Sequence, residues 1–197
     1  MSLKILGLRV EVEGAEHLKG DRPCVYVANH QSGLDLSTFG LIYPHRALVI
    51  GKKELAWVPM FGLFFIAAGN ILIHRQKHLK AVQALSGAVK ALKKKKACIW
   101  IFPEGTRSAK GSEMLPFKRG AFHLALQAEV PVVPIVCMPL EPIFNWKKRY
   151  LKKGTVKIRI LPPIETTSYS EKKVEELVQV VRAKMVEALR GLQSLHP

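Results

Sequence analysis

The chain has 197 residues, which fits one domain or one domain with a small appendage. Apolar residues make up 48% and charged residues 23%, enough to fill a sizeable core and to exclude a disordered chain. The 31 Lys and Arg against 15 Asp and Glu leave a net charge of +16, which points to a polyanionic partner, either nucleic acid or an anionic membrane surface.

Residues 1–21 hold no apolar run of the length a secretory leader needs. Leu8–Glu13 alternates apolar and polar side chains and predicts an edge or half-buried strand. Cys24–Asn29 is a β-rich run that ends at a polar turn, and a helix from Ser32 or Leu34 to Ile42 stops before Pro44. Ala47–Ile50 and Asn70–His74 predict short strands. Between them lies the most apolar stretch, Leu55–Ile73, broken by Pro59, Gly62, Gly69 and Asn70. It reads as short pieces, either buried or dipping into one leaflet of a membrane, rather than as a spanning helix.

Gln76–Lys93 is amphipathic, with Leu79, Val82, Leu85, Val89 and Leu92 at spacings of three and four. It runs into Lys93–Lys96, cations that suit both a helix C-terminus and an anionic surface. Ala97–Phe102 is a continuous apolar run, the kind buried on both faces of a sheet. A helix over Phe117–Ala128, a buried strand over Val130–Met138 carrying Pro134, an alternating strand over Thr155–Leu161 and a helix over Glu171–Leu195, with Val174, Leu177, Val178, Val181, Met185, Ala188 and Leu192 on one face, complete the chain. Ser168 with Glu171 predicts a capping box before the last helix. Alternating strands and helices, with several doubly buried strands, predict a single α/β domain with a largely parallel or mixed central sheet flanked by helices. Cys24, Cys98 and Cys137 are odd in number, far apart and set in apolar runs. They are expected to be buried free thiols, neither a disulfide framework nor a zinc site, as in a reducing compartment.

Chemistry is concentrated where two apolar strands end. Asn29-His30-Gln31-Ser32-Gly33-Leu34-Asp35 follows the first, and ligands in α/β folds bind at such strand ends. An alcohol is a poor nucleophile at neutral pH. A neutral imidazole can take its proton during attack, and a carboxylate on the other ring nitrogen fixes the tautomer and steadies the imidazolium. His30 and Asp35, in the pattern HxxxxD, supply that pair if the chain turns between them. Phe102-Pro103-Glu104-Gly105-Thr106-Arg107-Ser108 follows the second strand. Gly105 permits a tight turn, Arg107 presents a planar fork suited to phosphate, and Glu104 either accepts from a substrate hydroxyl or holds Arg107.

Two further segments, Gly69–Arg75 (GNILIHR) and Val133–Val136 (VPIV), join these in order and spacing. Together the four blocks resemble the glycerolipid acyltransferase family, and within it the bacterial 1-acyl-glycerol-3-phosphate acyltransferases. Gly51–Leu55, Pro59 and Leu115–Ala121 add to the likeness, which covers Val25 to Pro163. The resemblance implies that His30 is the general base and Asp35 its orienter. It implies that Arg107 binds the acceptor phosphate in a pocket shaped by Glu104, Gly105 and Thr106, with help from Arg75 and Lys52. Val133, Pro134 and Ile135 would line the acyl or thioester side. The acceptor would be a lysophospholipid and the donor an acyl thioester of coenzyme A or acyl carrier protein, with no metal and no other cofactor. The protein would work on an anionic membrane surface at its cytoplasmic face, peripherally or monotopically, and not on nucleic acid. Glycerol 3-phosphate or another lysolipid is the alternative acceptor. A basic nucleic-acid-binding module is the rival that charge alone supports, but the basic residues are scattered and carry no nucleic-acid motif.

Overall fold

Apolar runs without alternation can be satisfied only between two layers of helix, and the sheet is built around them. The computed structural model describes residues 7–18, 22–73, 78–108, 113–145 and 148–194, with 78–84 by backbone alone. In chain order the elements are β1 (Leu8–Glu13), β2 (Val25–Ala28), α1 (Asp35–Gly40), β3 (Ala47–Lys52), α2 (Phe61–Ala67), β4 (Ile71–Ile73), α3 (His78–Lys95), β5 (Cys98–Ile101), α4 (Gly120–Ala128), β6 (Val132–Cys137), β7 (Phe144–Asn145), β8 (Tyr150–Leu151), β9 (Gly154–Ile160) and α5 (Val174–Ser194). Seven strands form one sheet in the order β1-β9-β6-β2-β5-β3-β4, and β7 pairs with β8 as a small separate hairpin. Every neighbouring pair in the large sheet is parallel except β6 with β9, so the expected largely parallel or mixed sheet is a mixed one.

Strand order fixes where a site can form. From β2 the chain crosses to β3, on the far side of β5, and from β5 it crosses to β6, on the far side of β2. Right-handed crossovers in opposite directions put α1 and α4 on opposite faces and open a crevice between the carboxyl ends of β2 and β5. On one face Phe39 of α1 and Tyr43 pack on Trp100 at ring-centroid distances of 5.3 and 5.7 Å, with Tyr26 beside them. On the other, α3 packs on α4, β4 and β5, α4 on β2 and α5, and α5 on β6. The expected inner face of α5 is buried as read, with Leu189 added. Leu79 and Val82 of α3 lie outside the described side chains, and Ala88 and Leu92 are buried further along.

Pro134 sits in a fully buried strand at no cost to the pairing with β2. Val132 exchanges both backbone bonds with Ile164, while Ile135 pairs with Ile160. Three steps on β6 therefore face four on the other chain, a one-residue bulge. By alternation Pro134 turns its missing donor toward that bulge, where its carbonyl accepts from Leu161 N–H at 2.9 Å.

Some boundaries move for local reasons. α1 starts at Asp35, because Ser32–Leu34 belong to the turn that its carboxylate closes. α4 starts at Gly120, after Pro116, with Lys118 N–H committed to the Pro103 carbonyl at 2.8 Å. The capping box of Ser168 and Glu171 does not form. A 3-10 turn over Glu171–Lys173 precedes α5 with no side-chain cap, and the Glu171 carboxylate meets His123 Nδ1 on α4 at 3.0 Å instead. The three cysteines are free and buried.

Trp100, 1% exposed, supports the sheet face beneath the crevice. Trp100→Ala should cost about 3–5 kcal/mol, read as a lower urea midpoint at unchanged slope; a midpoint like the wild type would show that this face is not the load-carrying part of the core.

Candidate active site

β2 ends at Ala28 and releases Asn29–Asp35 onto the rim; β5 ends at Ile101 and releases Phe102–Ser108 beside it. The two turns are tied by backbone. His30 N–H donates to Glu104 Oε1 at 2.8 Å, and the His30 carbonyl accepts from Ser108 N–H at 2.8 Å. The sequence blocks at His30 and at Glu104–Arg107 are thus neighbours in space.

His30 Nδ1 lies 2.7 Å from Asp35 Oδ2. The same oxygen accepts Gln31 N–H at 2.7 Å and Ser32 N–H at 3.0 Å. A separation of five residues, too long for one helical turn, is bridged because the carboxylate at the start of α1 reaches back over the turn. Asp35 is 2% exposed, whereas the His30 side chain keeps 22% of its surface in solvent. The imidazole stacks on Phe102 with centroids 4.2 Å apart and planes 20° from parallel. With Nδ1 engaged by the carboxylate, Nε2 is the ring atom left to meet a substrate, the arrangement of a general base held in one tautomer.

Glu104 does something other than either sequence expectation. It is 3% exposed, and its second oxygen accepts Leu115 N–H at 3.0 Å. Both oxygens serve backbone amides, so Glu104 shapes the pocket from behind and faces neither a substrate hydroxyl nor Arg107. Burial, the largest influence, raises its pKa; the amides of His30 and Leu115 pull it back down. Gly105 has φ +70, which few side chains tolerate, and a Cβ there would come within 2.9 Å of Lys118 Cε and 3.1 Å of its Nζ. Thr106 and Arg107 are exposed beyond it. Lys52 is exposed at the end of β3, the strand next to β5. Arg75 lies outside the described residues.

The fourth block lands elsewhere. Val133, Pro134 and Ile135 are buried in β6 opposite Tyr26, Val27 and Ala28, so they offer no surface to an acyl chain. A doubly flanked central strand has no open face at mid-length, and only its end reaches the rim. There the Cys137 carbonyl and amide bond Asn29, while Gln31 holds the carbonyls of Cys137 and Met138 and the amide of Leu140, all within 2.8–3.1 Å. The residues just past the fourth block, Cys137, Met138 and Leu140, anchor the turn of His30 through their backbone.

Sequence reasoning missed several of these parts. Lys118 carries a third cation to the Glu104–Arg107 turn, but the contact depends on a loop whose course no spacing reveals. Phe102 appeared only as a strand end, and Asn29 and Gln31 only as turn residues. Arg182 of α5, which donates to the carbonyls of Met114 and Leu115 at 2.9 and 3.4 Å, gave no signal at all. Backbone amides are also sorted by the structure. Those of His30, Gln31, Ser32, Leu34 and Asp35 are all engaged. Among the described residues, the amide of exposed Gly33 is the remaining donor of this turn. Also among the described residues, no cluster of His, Cys, Asp or Glu could hold a metal ion.

A family model described as Acyltransferase matches residues 9–138. The chain is 41% identical over 190 residues to 1-acyl-sn-glycerol-3-phosphate acyltransferase alpha of Homo sapiens, across 96% of this chain and 67% of that protein. It is 36% identical over 188 residues to the 1-acyl-sn-glycerol-3-phosphate acyltransferase of Salmonella typhimurium, across 95% and 76%. In three dimensions it is similar, at a TM-score of 0.78 and 29% identity, to the crystal structure of the 1-acyl-sn-glycerophosphate acyltransferase of Thermotoga maritima, across 98% of this chain and 74% of that one.

Glu104→Gln can accept with one oxygen but turns an NH2 group toward the second amide. Leaving a buried N–H of His30 or Leu115 unpaired should cost about 1–3 kcal/mol, or roughly 2–12 °C in melting temperature for a chain of this length. If the Glu104→Gln variant melted with the wild type, the carboxylate would not be what ties the two turns.

Proposed function

The chain belongs to the acyltransferase family, and from that premise we propose that it transfers a fatty acyl group from a thioester to the sn-2 hydroxyl of 1-acyl-sn-glycerol 3-phosphate, forming phosphatidic acid for phospholipid synthesis. The 2.7 Å contact of His30 Nδ1 with buried Asp35, which leaves Nε2 to the substrate, carries the reading. The names of the relatives support the acceptor.

In the proposed reaction His30 Nε2 takes the hydroxyl proton as the oxygen attacks the thioester carbonyl. A C–O bond forms and the carbonyl becomes an oxyanion. Gly33 N–H is the proposed donor to it, since the neighbouring amides are committed within the turn. Collapse breaks the C–S bond, and the imidazolium returns its proton to the leaving thiolate. Coenzyme A or acyl carrier protein carries the donor, and the chemistry calls on no resident cofactor. Arg107 is the proposed fork for the acceptor phosphate on the turn of Gly105 and Thr106, with Lys52 and Lys118 adding charge and Arg75 carried over from the family resemblance. Phosphate recognition at this rim favours a phosphate-bearing acceptor over a neutral lysolipid. Such substrates reside in bilayers, so the proposed place of work is a membrane surface, at the cytoplasmic face. Among the described residues no helix is long and apolar enough to cross one.

A radiolabelled acyl-transfer assay with lysophosphatidic acid, glycerol 3-phosphate and lysophosphatidylcholine tests the acceptor. Turnover should be confined to the first; equal turnover of lysophosphatidylcholine, whose phosphate is a choline diester, would overturn recognition of a free phosphate monoester, and equal turnover of glycerol 3-phosphate would overturn the lysolipid acceptor. His30→Ala should lose about 10²–10⁴ in kcat with the fold kept. Arg107→Ala should raise KM for the acceptor roughly 10- to 100-fold, the loss of one charge-assisted hydrogen bond, and leave KM for the thioester unchanged.

A further inference from the structure

Nine large apolar side chains are exposed among the described residues, and six of them, Trp57, Val58, Met60, Leu63, Phe64 and Ile66, fall within ten consecutive positions at 45–87% exposure. A contiguous apolar surface of this kind marks a place of contact. It is not loose chain. Gly62 is packed so closely that a Cβ would lie 2.2 Å from the Ala56 carbonyl oxygen, so α2 is clamped to the 3-10 turn over Lys53–Trp57. Phe65 is buried, its ring edge 2.8 Å from where a Gly51 Cβ would stand. Met60 takes φ 59 and ψ −47, closed by Phe61 N–H on the Pro59 carbonyl. This is a strained γ-turn that persists only where its surroundings hold it, and its side chain is 87% exposed. One face of α2 is fixed to the core so that the other is held out.

Charge brackets this face. Lys52 and Lys53 precede it at the catalytic rim, and Glu54 is the one acid between Lys52 and Gly69. At the opposite rim Ala67, Ala68 and Gly69 share a cleft with His45, Arg46, Lys94, Lys95 and Lys96, with no carboxylate in the lining among the described residues. The Lys93–Lys96 run, which suited either a helix end or an anionic surface, thus stands beside the foot of the exposed helix.

We infer that this flank is the seat of the protein on an anionic lipid leaflet. The outer face of α2 enters the interface, and the cleft of Arg46 and Lys94–Lys96 holds the phosphate of a bilayer lipid. The membrane plane then runs along the β4 edge of the sheet, from the catalytic rim to the opposite one, and the acceptor reaches His30 sideways from the leaflet. Apolar side chains supply depth and the cations supply preference for negative lipid, the division of labour of an interfacial helix. The inference rests on the acyltransferase reading only in needing a lipid substrate; the surface itself is read from exposure and charge.

Flotation of the purified protein with phosphatidylcholine vesicles, with and without phosphatidylglycerol, tests it. The wild type should float with the anionic vesicles and much less with the neutral ones. Leu63→Glu with Phe64→Glu, both solvent-facing, should lower that partitioning by roughly tenfold or more. Lys94→Gln with Lys95→Gln and Lys96→Gln should erase the preference for anionic vesicles. The Leu63/Phe64 variant should keep the wild-type kcat on acceptor dispersed in detergent micelles. Wild-type flotation by that variant, or equal flotation of the wild type with both vesicles, would overturn the inference. So would a wild-type dimer in sedimentation that the variant converts to monomer, because a second copy would then cover the face. No acyl transfer by the wild type in micelles or vesicles, with flotation as expected, would instead remove the acyltransferase reading and leave the docking surface standing.

Discussion

Oδ2 of Asp35 accepts three hydrogen bonds at once, from the ring of His30 and from the amides of Gln31 and Ser32. A carboxylate taken out of water is costly unless its oxygens are met; here the turn meets Oδ2 with all three bonds, while Oδ1 is buried with no hydrogen-bond partner among the described residues. Closing the turn and orienting the imidazole are one event. α1 starts at the residue whose carboxylate closes the turn before it.

Glu104 repeats the device one strand away. Its two oxygens hold the amides of His30 and Leu115, so the turn after β2 is fixed to the turn after β5 and to the loop leading into α4. Arg182 holds that loop from α5. Two buried carboxylates thus flank one partly exposed imidazole, and both would favour positive charge on the ring were it to take a proton. Arg107 is exposed on the solvent side of the same turn, with Lys118 beside Gly105, so carboxylates behind and cations in front divide the site.

Much of this was legible in the sequence. Uninterrupted apolar runs marked β5 and β6, and period-2 alternation marked β1 and β9. Period-3.6 spacing placed nearly the whole buried face of α5. The ends of β2 and β5 were legible as a site because polar and turn residues follow apolar strands there. Side-chain bonds to distant backbone were not legible. Glu104 looked like a phosphate-pocket residue, and only its burial against His30 and Leu115 shows a strut. Val133–Ile135 looked like a lining, yet a central strand shows only its end to solvent. The Ser168–Glu171 box lost to a partner, His123, that lies 48 positions away in the chain. Leu55–Ile73 left buried and membrane-facing alternatives open; α2 buries Gly62 and Phe65 and exposes Leu63, Phe64 and Ile66.

The central claim is that Asp35 holds His30 in the tautomer whose free nitrogen is Nε2. Two-bond 15N–1H spectra of the imidazoles, with His30 assigned by the signal lost in His30→Gln, measure this directly. The account predicts a neutral His30 ring protonated on Nδ1, with Nε2 carrying the lone pair. A neutral ring protonated on Nε2 would contradict it, because the atom facing the substrate would then already hold the proton it is meant to take.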